Sequence, residues 1–426
     1  MRFYFILLLP AVLALSSSLE AADVRSLSRS EAIALSLANN RELGIAALEI
    51  ERAAASFRWA GRLANPQLEV SRSGDAIGLD DGERNYAVAF SQRFPITSRL
   101  KKEKRLKKYE VLLAEAEIAD RRREIAGEVD LAIVDLLATR KQIELQCKLL
   151  MLNREIVNFL KQQQKRGEVS SLDVMQATLT GRKLEQAAKG QDAVETQKLL
   201  ALNKVLGIEP TSSVTITETL SLPGSAPATE PDFSPILGRR PDYVLALAKI
   251  DEANAAIALE EANRWGDISV RLFVEGENAV DEPIGLERNS FAGFGVSIPL
   301  PLRNRNQEGI EKAKINRKAA GKGVEAASFT IRSECENAFQ QRRNSWELAT
   351  EASGELLDLA EQNLKEYRKA YQEGQASLIQ VQQAQQQVLE LQDASVQFTA
   401  DYHRAAATVR YVSGDYPNLN ITPSSK

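Results

Sequence analysis

The longest regular pattern of apolar and polar residues runs from Ser98 to Lys165. This stretch has no proline and one glycine, Gly127, and apolar residues recur three or four positions apart in its second half. Such spacing places them on one stripe of a helix: Leu145, Leu149, Leu152, Ile156 and Leu160. At about 1.5 Å per residue the helix would be about 100 Å long. Its narrow apolar stripe favours lateral, coiled-coil-like packing over a compact core.

A second helix of similar length is predicted from about Asn304 to Tyr371. Each long helix is followed by a turn that contains glycine, at Gly167 and Gly374, and then by a further helix. Nearer the N-terminus, the motif Ser28-Arg-Ser-Glu31 predicts a capping box, from which one helix extends to about Ala64.

Four short stretches alternate between apolar and polar residues, as strands with one apolar face do. They lie at residues 66–73, 86–90, 268–275 and 292–298. The residues expected on the apolar faces are Leu68, Val70, Tyr86, Val88, Phe90, Ile268, Val270, Leu272, Val274, Ala292, Phe294, Val296 and Ile298. Phe273 is an exception, because it falls among the polar positions. Strands of this kind suit a transmembrane β-barrel.

Four strands cannot close a barrel, since known barrels begin at about eight strands. Open strand edges are not tolerated in lipid, so the strand count requires an oligomer. Three protomers would supply twelve strands.

The order of the elements occurs twice along the chain. Residues of the first helix and first strand recur 200 positions later. Residues from the end of the second strand and from the long helix recur 206 positions later, and residues of the turn and last helix recur 207 positions later. Examples are Ile50 and Ile250, Pro95 and Pro301, Glu128 and Glu334, Gly167 and Gly374, Gly207 and Gly414, and Pro210 and Pro417. The loop Ile77-Gly78-Leu79 also recurs, as Ile284-Gly285-Leu286. The repetition predicts a tandem duplication of helix, strand, strand, long helix, turn and helix.

The N-terminus predicts export. Arg2 is followed by an apolar run from Phe3 to Leu15 and by small residues up to Ala22, which is typical of a signal peptide. The run is too short for a membrane span. The predicted organisation is a signal peptide at 1–22, a first repeat at 23–207, a linker at 208–238, a second repeat at 239–414 and a tail at 415–426.

Composition argues against several kinds of chemistry. The formal net charge of −4 argues against a nucleic-acid partner. His403 is the only histidine, which excludes a His-rich metal or catalytic site. Cys147 and Cys335 are predicted to be buried or half-buried thiols, too far apart along the two helices for a disulfide. The sequence shows no nucleophile–base pair, metal-ligand cluster or phosphate loop, so we predict no enzyme activity, no metal and no cofactor.

Several motifs together resemble the outer membrane efflux protein family, the TolC-like exit ducts of Gram-negative bacteria. They are Asn65-Pro66-Gln67-Leu68, Arg239-Arg-Pro-Asp242, Ile298-Pro-Leu-Pro301 and the paired turns from Gly167 to Asp173 and from Gly374 to Gln380. The resemblance covers essentially the whole mature chain. It implies a mostly α-helical protomer with a transmembrane β part, which forms a trimeric twelve-stranded β-barrel on a long periplasmic α-barrel.

The resemblance also implies function and partners. The chain is expected to be a passive homotrimeric channel in the outer membrane, coupled through a periplasmic adaptor (membrane fusion) protein to an inner-membrane pump of the RND or ABC type. Two alternatives stay open: the outer-membrane component of a type I protein secretion system, and a structural periplasmic coiled-coil protein. An unassisted porin would not need helices of about 100 Å. No cysteine that could carry a lipid follows the apolar run near the N-terminus. This feature and the short loops point to the heavy-metal (cobalt-zinc-cadmium) resistance branch of the family, with drugs or secreted proteins as other possible cargoes.

The resemblance assigns residues to two roles. The turns would be the tips that dock the adaptor: Gly167, Glu168, Val169, Ser170, Gly374, Gln375, Ala376 and Ser377. Asp173 and Tyr371 would line the closed aperture, together with Gln380 and Gln383. In the best-known relative the second turn carries an arginine and two aspartates, where this chain has Ala376, Gln380 and Gln383. This departure leaves open whether the aperture has an ionic lock or binds cations.

Two clusters of basic residues follow directly on strands. They comprise Arg99, Lys101, Lys102, Lys104, Arg105, Lys107 and Lys108 in the first repeat, and Arg303, Arg305, Lys312, Lys314, Arg317 and Lys318 in the second. They are either ordinary solvated side chains or contacts to outer-membrane lipid at the level of the phosphate head groups.

Overall fold

The structure is a computed structural model that describes residues 25–74, 83–228, 230–281 and 285–416. The predicted signal peptide, the loop Ile77-Gly78-Leu79, Ile284, Pro417 and the rest of the tail lie outside these residues.

The first half of the chain begins with a capped pair of helices. The elements are β1 (Arg25–Leu27), α1 (Arg29–Asn39), α2 (Arg41–Trp59), β2 (Gln67–Gly74), β3 (Arg84–Phe94), α3 (Arg99–Lys165) and α4 (Ser171–Leu206). The predicted capping box is present, because Ser28 N donates to Glu31 Oε2 at 2.7 Å and Glu31 N donates to Ser28 Oγ at 3.3 Å. The single helix predicted up to Ala64 is wrong. Asn40 ends α1, and its side-chain oxygen caps α2.

The second half follows the same order with one difference. Its elements are β4 (Val214–Ile216), α5 (Phe233–Arg239), α6 (Pro241–Ala262), β5 (Ile268–Asp281), β6 (Gly285–Ser297), α7 (Gln307–Ala352), α8 (Glu355–Gln372) and α9 (Leu378–Ser413). The prediction of one unbroken second rod is wrong, because it stops at Ser353 and restarts after Gly354. Glycine costs about 1 kcal/mol in a helix interior. Gly354 has φ of −96° and ψ of −142°, outside the helical region, so the helix is interrupted at this residue.

The predicted strands form one antiparallel sheet in the order β2-β3-β5-β6. Their register aligns the apolar positions across the sheet, so that Leu68, Phe90, Leu272 and Phe294 form one row. All four side chains are exposed. An exposed apolar sheet face of this extent is typical of a surface that another molecule or lipid covers. β1 and β4 form a separate parallel pair, which the sequence analysis did not predict.

Phe273, the exception among the polar positions, has a packing reason. It pairs across the sheet with Gly293, and its ring lies over that glycine. A Cβ at Gly293 would lie 2.6 Å from the Phe273 ring. The aromatic side chain therefore fills space that the glycine leaves open.

The helices pack side by side along their length. α3 contacts α2, α4, α6 and α9, whereas α7 contacts α6 and α9. Each half has a buried cluster built from equivalent residues: Ile125, Val129 and Leu202 in the first, and Ile331, Cys335 and Val409 in the second. Cys335 is buried as predicted, but Cys147 is exposed, because it falls outside the apolar stripe of α3. No helix within the described residues is long and apolar enough to cross a lipid bilayer.

Candidate functional site

The first predicted tip is a helix end stabilised by backbone hydrogen bonds. Gly167 has φ of +76°, a conformation that glycine adopts without strain. Gly167 N donates to the Gln164 carbonyl at 3.0 Å and Glu168 N to the Gln163 carbonyl at 3.0 Å, which together make a Schellman motif. Ser170 then caps α4, because its Oγ accepts a hydrogen bond from Leu172 N at 3.1 Å.

The second tip repeats this geometry with different side chains. Gly374 has φ of +72°, and its N–H donates to the Tyr371 carbonyl at 3.1 Å, while Gln375 N donates to the Ala370 carbonyl at 2.8 Å. Ser377 caps α9 in a full capping box with Gln380. The same backbone turn therefore ends both long hairpins, although Glu168 and Val169 are replaced by Gln375 and Ala376.

The two tips are joined by an apolar cluster. Leu160, Ala177 and Leu378 are buried together, and Val169 and Tyr371 pack against them. Because this cluster contains residues of both hairpins, the eight predicted docking residues lie at one end of the molecule. That end is separated from the sheet by the length of α3, about 100 Å.

Of the four predicted aperture residues, the structure brings two together. Asp173 stands in the first turn of α4 and is half-buried. Tyr371 is half-buried and packs edge-on against Phe159, with ring centroids 6.1 Å apart. Burial raises the pKa of Tyr371, and the nearby negative charge of Asp173 raises it further.

The two glutamines are placed differently. Gln380 is exposed, and its side-chain oxygen accepts from Ser377 N at 2.8 Å, so it is already engaged in the cap of α9. Gln383 is exposed on the next turn. Within the one described chain, neither glutamine contributes a hydrogen bond to Asp173.

A buried ionic network that was not predicted from the sequence joins the two halves. Asp130 is 0 % exposed and pairs with Arg29 at 3.2 Å and with Arg410 at 2.8 Å. Arg410 belongs to the last helix, so this ion pair joins residues that are 280 positions apart in the sequence. The available signal was an acidic residue among the apolar positions of α3, directly after Val129.

The Arg239-Arg-Pro-Asp242 motif forms a second, separate ionic cluster around a buried arginine. Arg240 is buried; it pairs with Asp242 at 2.7 Å and Glu334 at 2.9 Å, and donates to the Val412 carbonyl at 3.0 Å. Arg240 therefore ties the start of α6 to α7 and to the end of α9. Its role is structural, since it holds the second half together.

Across residues 25–74, 83–228, 230–281 and 285–416, no group of three or more His, Cys, Asp or Glu side chains is placed to hold a metal ion.

Comparison with known proteins gives a family match over most of the chain. Residues 32–208 and 234–415 match the family described as outer membrane efflux protein. No curated protein matches the sequence.

Solved structures share the fold at low sequence identity. The outer membrane channel CmeC of Campylobacter jejuni is 16% identical, with a TM-score of 0.72 over 91% of this chain and 85% of that one. CusC is 18% identical, with a TM-score of 0.71 over 93% and 95% of the two chains. The open MtrE outer membrane channel of Neisseria gonorrhoeae is 18% identical, with a TM-score of 0.67 over 91% and 88%.

Proposed function

Because the chain belongs to the outer membrane efflux protein family, whose channels are transport conduits and not enzymes, we propose that it is the passive exit duct of a tripartite efflux system. The expected outer-membrane location and the expected lack of catalysis are confirmed by the family. The proposal adds a periplasmic adaptor and an inner-membrane pump of the RND or ABC type as partners. The observation that carries it is the pair of matching turns at one end of two long hairpins, remote from the sheet.

A repeated interface supports a closed ring of protomers. Within the chain, α3 of the first half packs on α9 of the second half. The equivalent pair is α7 and α4, which do not pack along each other in the described chain. If the two halves are a tandem duplication, α7 packs on α4 of the next protomer. An interface that joins different surfaces in this way closes into a ring when the rotation is right.

The exposed residues on α7 agree with this arrangement. Arg123 on α3 is 3% exposed, with its guanidinium 4.2 Å from the centre of the Tyr411 ring on α9. The equivalent of Arg123 is Phe329, which is 76% exposed on α7. The equivalent of Tyr411 is Lys204, exposed on α4. Across a protomer boundary these two residues would form the same cation–π pair with the roles exchanged.

The sheet supports the same arrangement of protomers in a ring. β3 of the first half pairs with β5 of the second, whereas β2 and β6 are the open edges. By the same equivalence, β6 of one protomer pairs with β2 of the next, and three protomers close a sheet of twelve strands. Closure removes the edges that lipid does not tolerate.

A designed disulfide tests the ring. A Cβ on Gly127 would lie 3.6 Å from the Cβ of Tyr411, within the usual range for a disulfide. The equivalent pair across the proposed boundary is Ser333 and Lys204. In a Cys147→Ser background, oxidised Ser333→Cys/Lys204→Cys protein should therefore run as covalent dimers and trimers on a denaturing gel.

Two controls accompany this test. Asp192→Cys/Ser333→Cys moves one thiol by twelve residues along α4, about 18 Å, and should give no ladder. Gly127→Cys/Tyr411→Cys should cross-link within one chain only. The proposed ring would be refuted if the Ser333→Cys/Lys204→Cys protein ran only as a monomer and the protein in detergent showed no trimer mass.

The tips are proposed to dock the adaptor. A Cβ at Gly167 or Gly374 would meet nothing within 4 Å, so a substitution there acts through the positive φ and not through crowding. Gly167→Val and Gly374→Val should distort the tips and abolish efflux, with trimer formation retained. Gly190→Val is the matched control, because Gly190 lies within α4 away from the tip, an added Cβ would meet nothing within 4 Å, and its φ is not positive. Unchanged efflux and adaptor cross-linking in both glycine variants would refute the docking role.

The aperture belongs to the same proposal, with Asp173 and Tyr371 as its lining and Gln380 and Gln383 beside them. The approach of Asp173 to Tyr371 supports it. Neutral hydrogen bonds worth about 1 kcal/mol each would then hold the aperture shut. The cargo is proposed to be heavy-metal ions. Susceptibility of a deletion strain to cobalt, zinc and cadmium salts, compared with its susceptibility to drugs, tests that choice.

A further inference from the structure

Four segments connect helices to strands, at residues 60–66, 95–98, 263–267 and 298–306. They lie at the same height along the long axis of the helices, and we call this region the junction. α2 and α6 end just before β2 and β5, whereas α3 and α7 begin just after β3 and β6. Contacts between the halves fix this level. Thr97 Oγ1 donates to the Ala262 carbonyl at 3.1 Å, and Arg99 pairs with Asp267 at 2.8 Å.

Apolar residues at the junction recur between the halves and point into solvent. Each short helix ends near a tryptophan, because Trp59 is the last residue of α2 and Trp265 lies three residues after α6. The other members are two pairs offset by 206 positions, Phe94 with Leu300 and Ile96 with Leu302. Every one of these side chains is exposed. Tryptophan is enriched where a membrane meets water, because its ring is apolar and its N–H is polar. The junction therefore has the composition of a membrane interface.

Basic residues recur at the same level and offset. The pairs are Arg99 with Arg305 and Lys108 with Lys314, and each tryptophan is also preceded by an arginine, Arg58 or Arg264. α3 and α7 run away from the sheet, and helical side chains lean toward the N-terminus of their helix. Long basic side chains in the first turns thus extend back toward the junction.

The charge at the start of α3 goes against local preference. Residues 99–110 include seven basic and two acidic residues, and the first turn has no acidic residue. Positive charge there opposes the helix dipole. Departures from local preference are expected where a surface serves binding. An anion at the junction would offset this repulsion.

In the second half, three basic residues line a single pocket. The pocket is formed by Arg264, Arg305, Gln307, Ile310, Glu311 and Lys314. Arg305 is held in place, because its Nε donates to the Pro301 carbonyl at 3.0 Å and its backbone N donates to Gln307 Oε1 at 2.7 Å.

The charges in this pocket are not balanced by ion pairs. In the described part of the chain, none of its three basic side chains has a carboxylate within 4 Å, and Glu311 is the one acid in the lining. In the first half, by contrast, the arginine equivalent to Arg305 is Arg99, which is bound to Asp267. The second-half pocket therefore has unpaired positive charge and open guanidinium donors.

We propose that the junction pocket binds the head-group phosphate of an anionic phospholipid in the periplasmic leaflet of the outer membrane. Arg264 and Arg305 donate to phosphate oxygens, a geometry that suits the planar guanidinium. Lys314 adds a third positive charge. Trp265 and Leu302 contact the adjacent glycerol ester and upper acyl chain. The site would fix the depth and tilt of the duct in the membrane.

The test uses the delipidated full-length channel in detergent and native mass spectrometry. The protein is titrated with phosphatidylglycerol, with phosphatidylcholine and, as the free-phosphate comparison, with glycerol 3-phosphate. Arg264→Gln/Arg305→Gln/Lys314→Gln should bind phosphatidylglycerol at least roughly tenfold more weakly than the parent. Lys161→Gln/Lys183→Gln/Lys189→Gln removes three exposed lysines from other surfaces and should bind like the parent.

Further variants separate charge from folding. Arg264→Lys/Arg305→Lys keeps the positive charge and should retain most of the phosphatidylglycerol binding. If the triple variant does not fold, the single change Arg264→Gln, at an exposed position, should still give a smaller loss of binding. Equal binding of phosphatidylcholine and phosphatidylglycerol by the parent would overturn the proposal. So would parent-like binding by the triple variant, or glycerol 3-phosphate binding as tightly as the lipid.

Discussion

The two halves of the chain share a fold but place equivalent residues in different surroundings. Asp130 on α3 is buried between two arginines, whereas its equivalent on α7, Glu336, is exposed. Arg123 is buried against Tyr411, whereas its equivalent Phe329 is largely exposed. α3 has a neighbour on this face within the chain, and α7 does not.

This difference separates residues that each half needs in order to fold from residues whose role depends on what packs against that half. Turn glycines and core aliphatic residues recur in both halves, because each half needs them to fold. Charged and aromatic residues on the outer faces differ: Arg123 packs on Tyr411 within the chain, whereas the side chain of Phe329 is exposed. The following predictions test that separation, beginning with the largest expected effect.

The buried carboxylate should matter much more than its exposed equivalent. Asp130→Ala leaves Arg29 and Arg410 without their shared partner, and breaking a buried ion pair typically costs 3–5 kcal/mol. Glu336→Ala should change the free energy of unfolding by less than about 0.5 kcal/mol. Denaturant unfolding of both variants in detergent, followed by helical circular dichroism, measures the difference. Similar losses would mean that the two halves are more alike than the structure indicates.

Glycines that end helices are of two kinds in both halves. An added Cβ would be crowded at Gly207 and Gly414, but would meet nothing within 4 Å at Gly167 and Gly374. Gly207 has φ of +71°, and an added Cβ would lie 2.6 Å from the Asn39 carbonyl oxygen. Gly207→Ala should cost more than about 2 kcal/mol, since it adds a clash to the roughly 1–2 kcal/mol of left-handed strain. Gly167→Ala should cost only that strain. Thermal unfolding of the two variants compares them, and an equal loss would show that crowding at Gly207 is relieved.

Acid should weaken the second half through Asp242. Burial opposes its charged form, but the hydrogen bonds and charge of Arg240 hold the pKa of Asp242 below its ordinary value. The unfolded chain therefore binds the proton more tightly. The stabilisation is present above the ordinary carboxyl pKa of about 4 and is lost as the pH falls through the lowered value.

The measurement is the stability of Asp242→Asn between about pH 5 and 2, where it should fall less steeply than that of the parent. Glu336 is an exposed carboxylate of α7 with no ion pair in the described part of the chain, and Glu336→Gln is the matched control. A parent-like slope in Asp242→Asn would remove this residue from the acid response.

The smallest expected effect concerns the aperture. Tyr371 has Gln164 as its equivalent in the first half, and Asp173 has Gln380 in the second, so the proposed gate is not symmetric between halves. Tyr371→Phe should raise single-channel conductance in planar bilayers, and Asp173→Asn should weaken block by divalent or trivalent cations. Gln164→Leu should conduct like the parent. Parent-like conductance and block in the first two variants would place the aperture elsewhere.

Local features of this fold could be predicted from the sequence because their causes lie within a few residues. The apolar stripe predicted α3 to within one residue, alternation predicted all four strands of the main sheet, and Ser28 and Glu31 predicted a capping box. The turn glycines pointed to the tips, and their positive φ follows from the need to end a helix with its carbonyls satisfied.

The tertiary structure alone decided which polar residues are buried. Asp130 and Arg240 look like ordinary charges in the sequence, because their partners Arg410 and Glu334 are far away along the chain. The gap at Ser353 and Gly354 likewise needed the structure, since similar weak helix formers occur inside unbroken helices. The sequence determined the elements and their repetition through local backbone and side-chain preferences. Burial depends on distant neighbours, so only the folded chain could decide which face of each helix is filled and which is open.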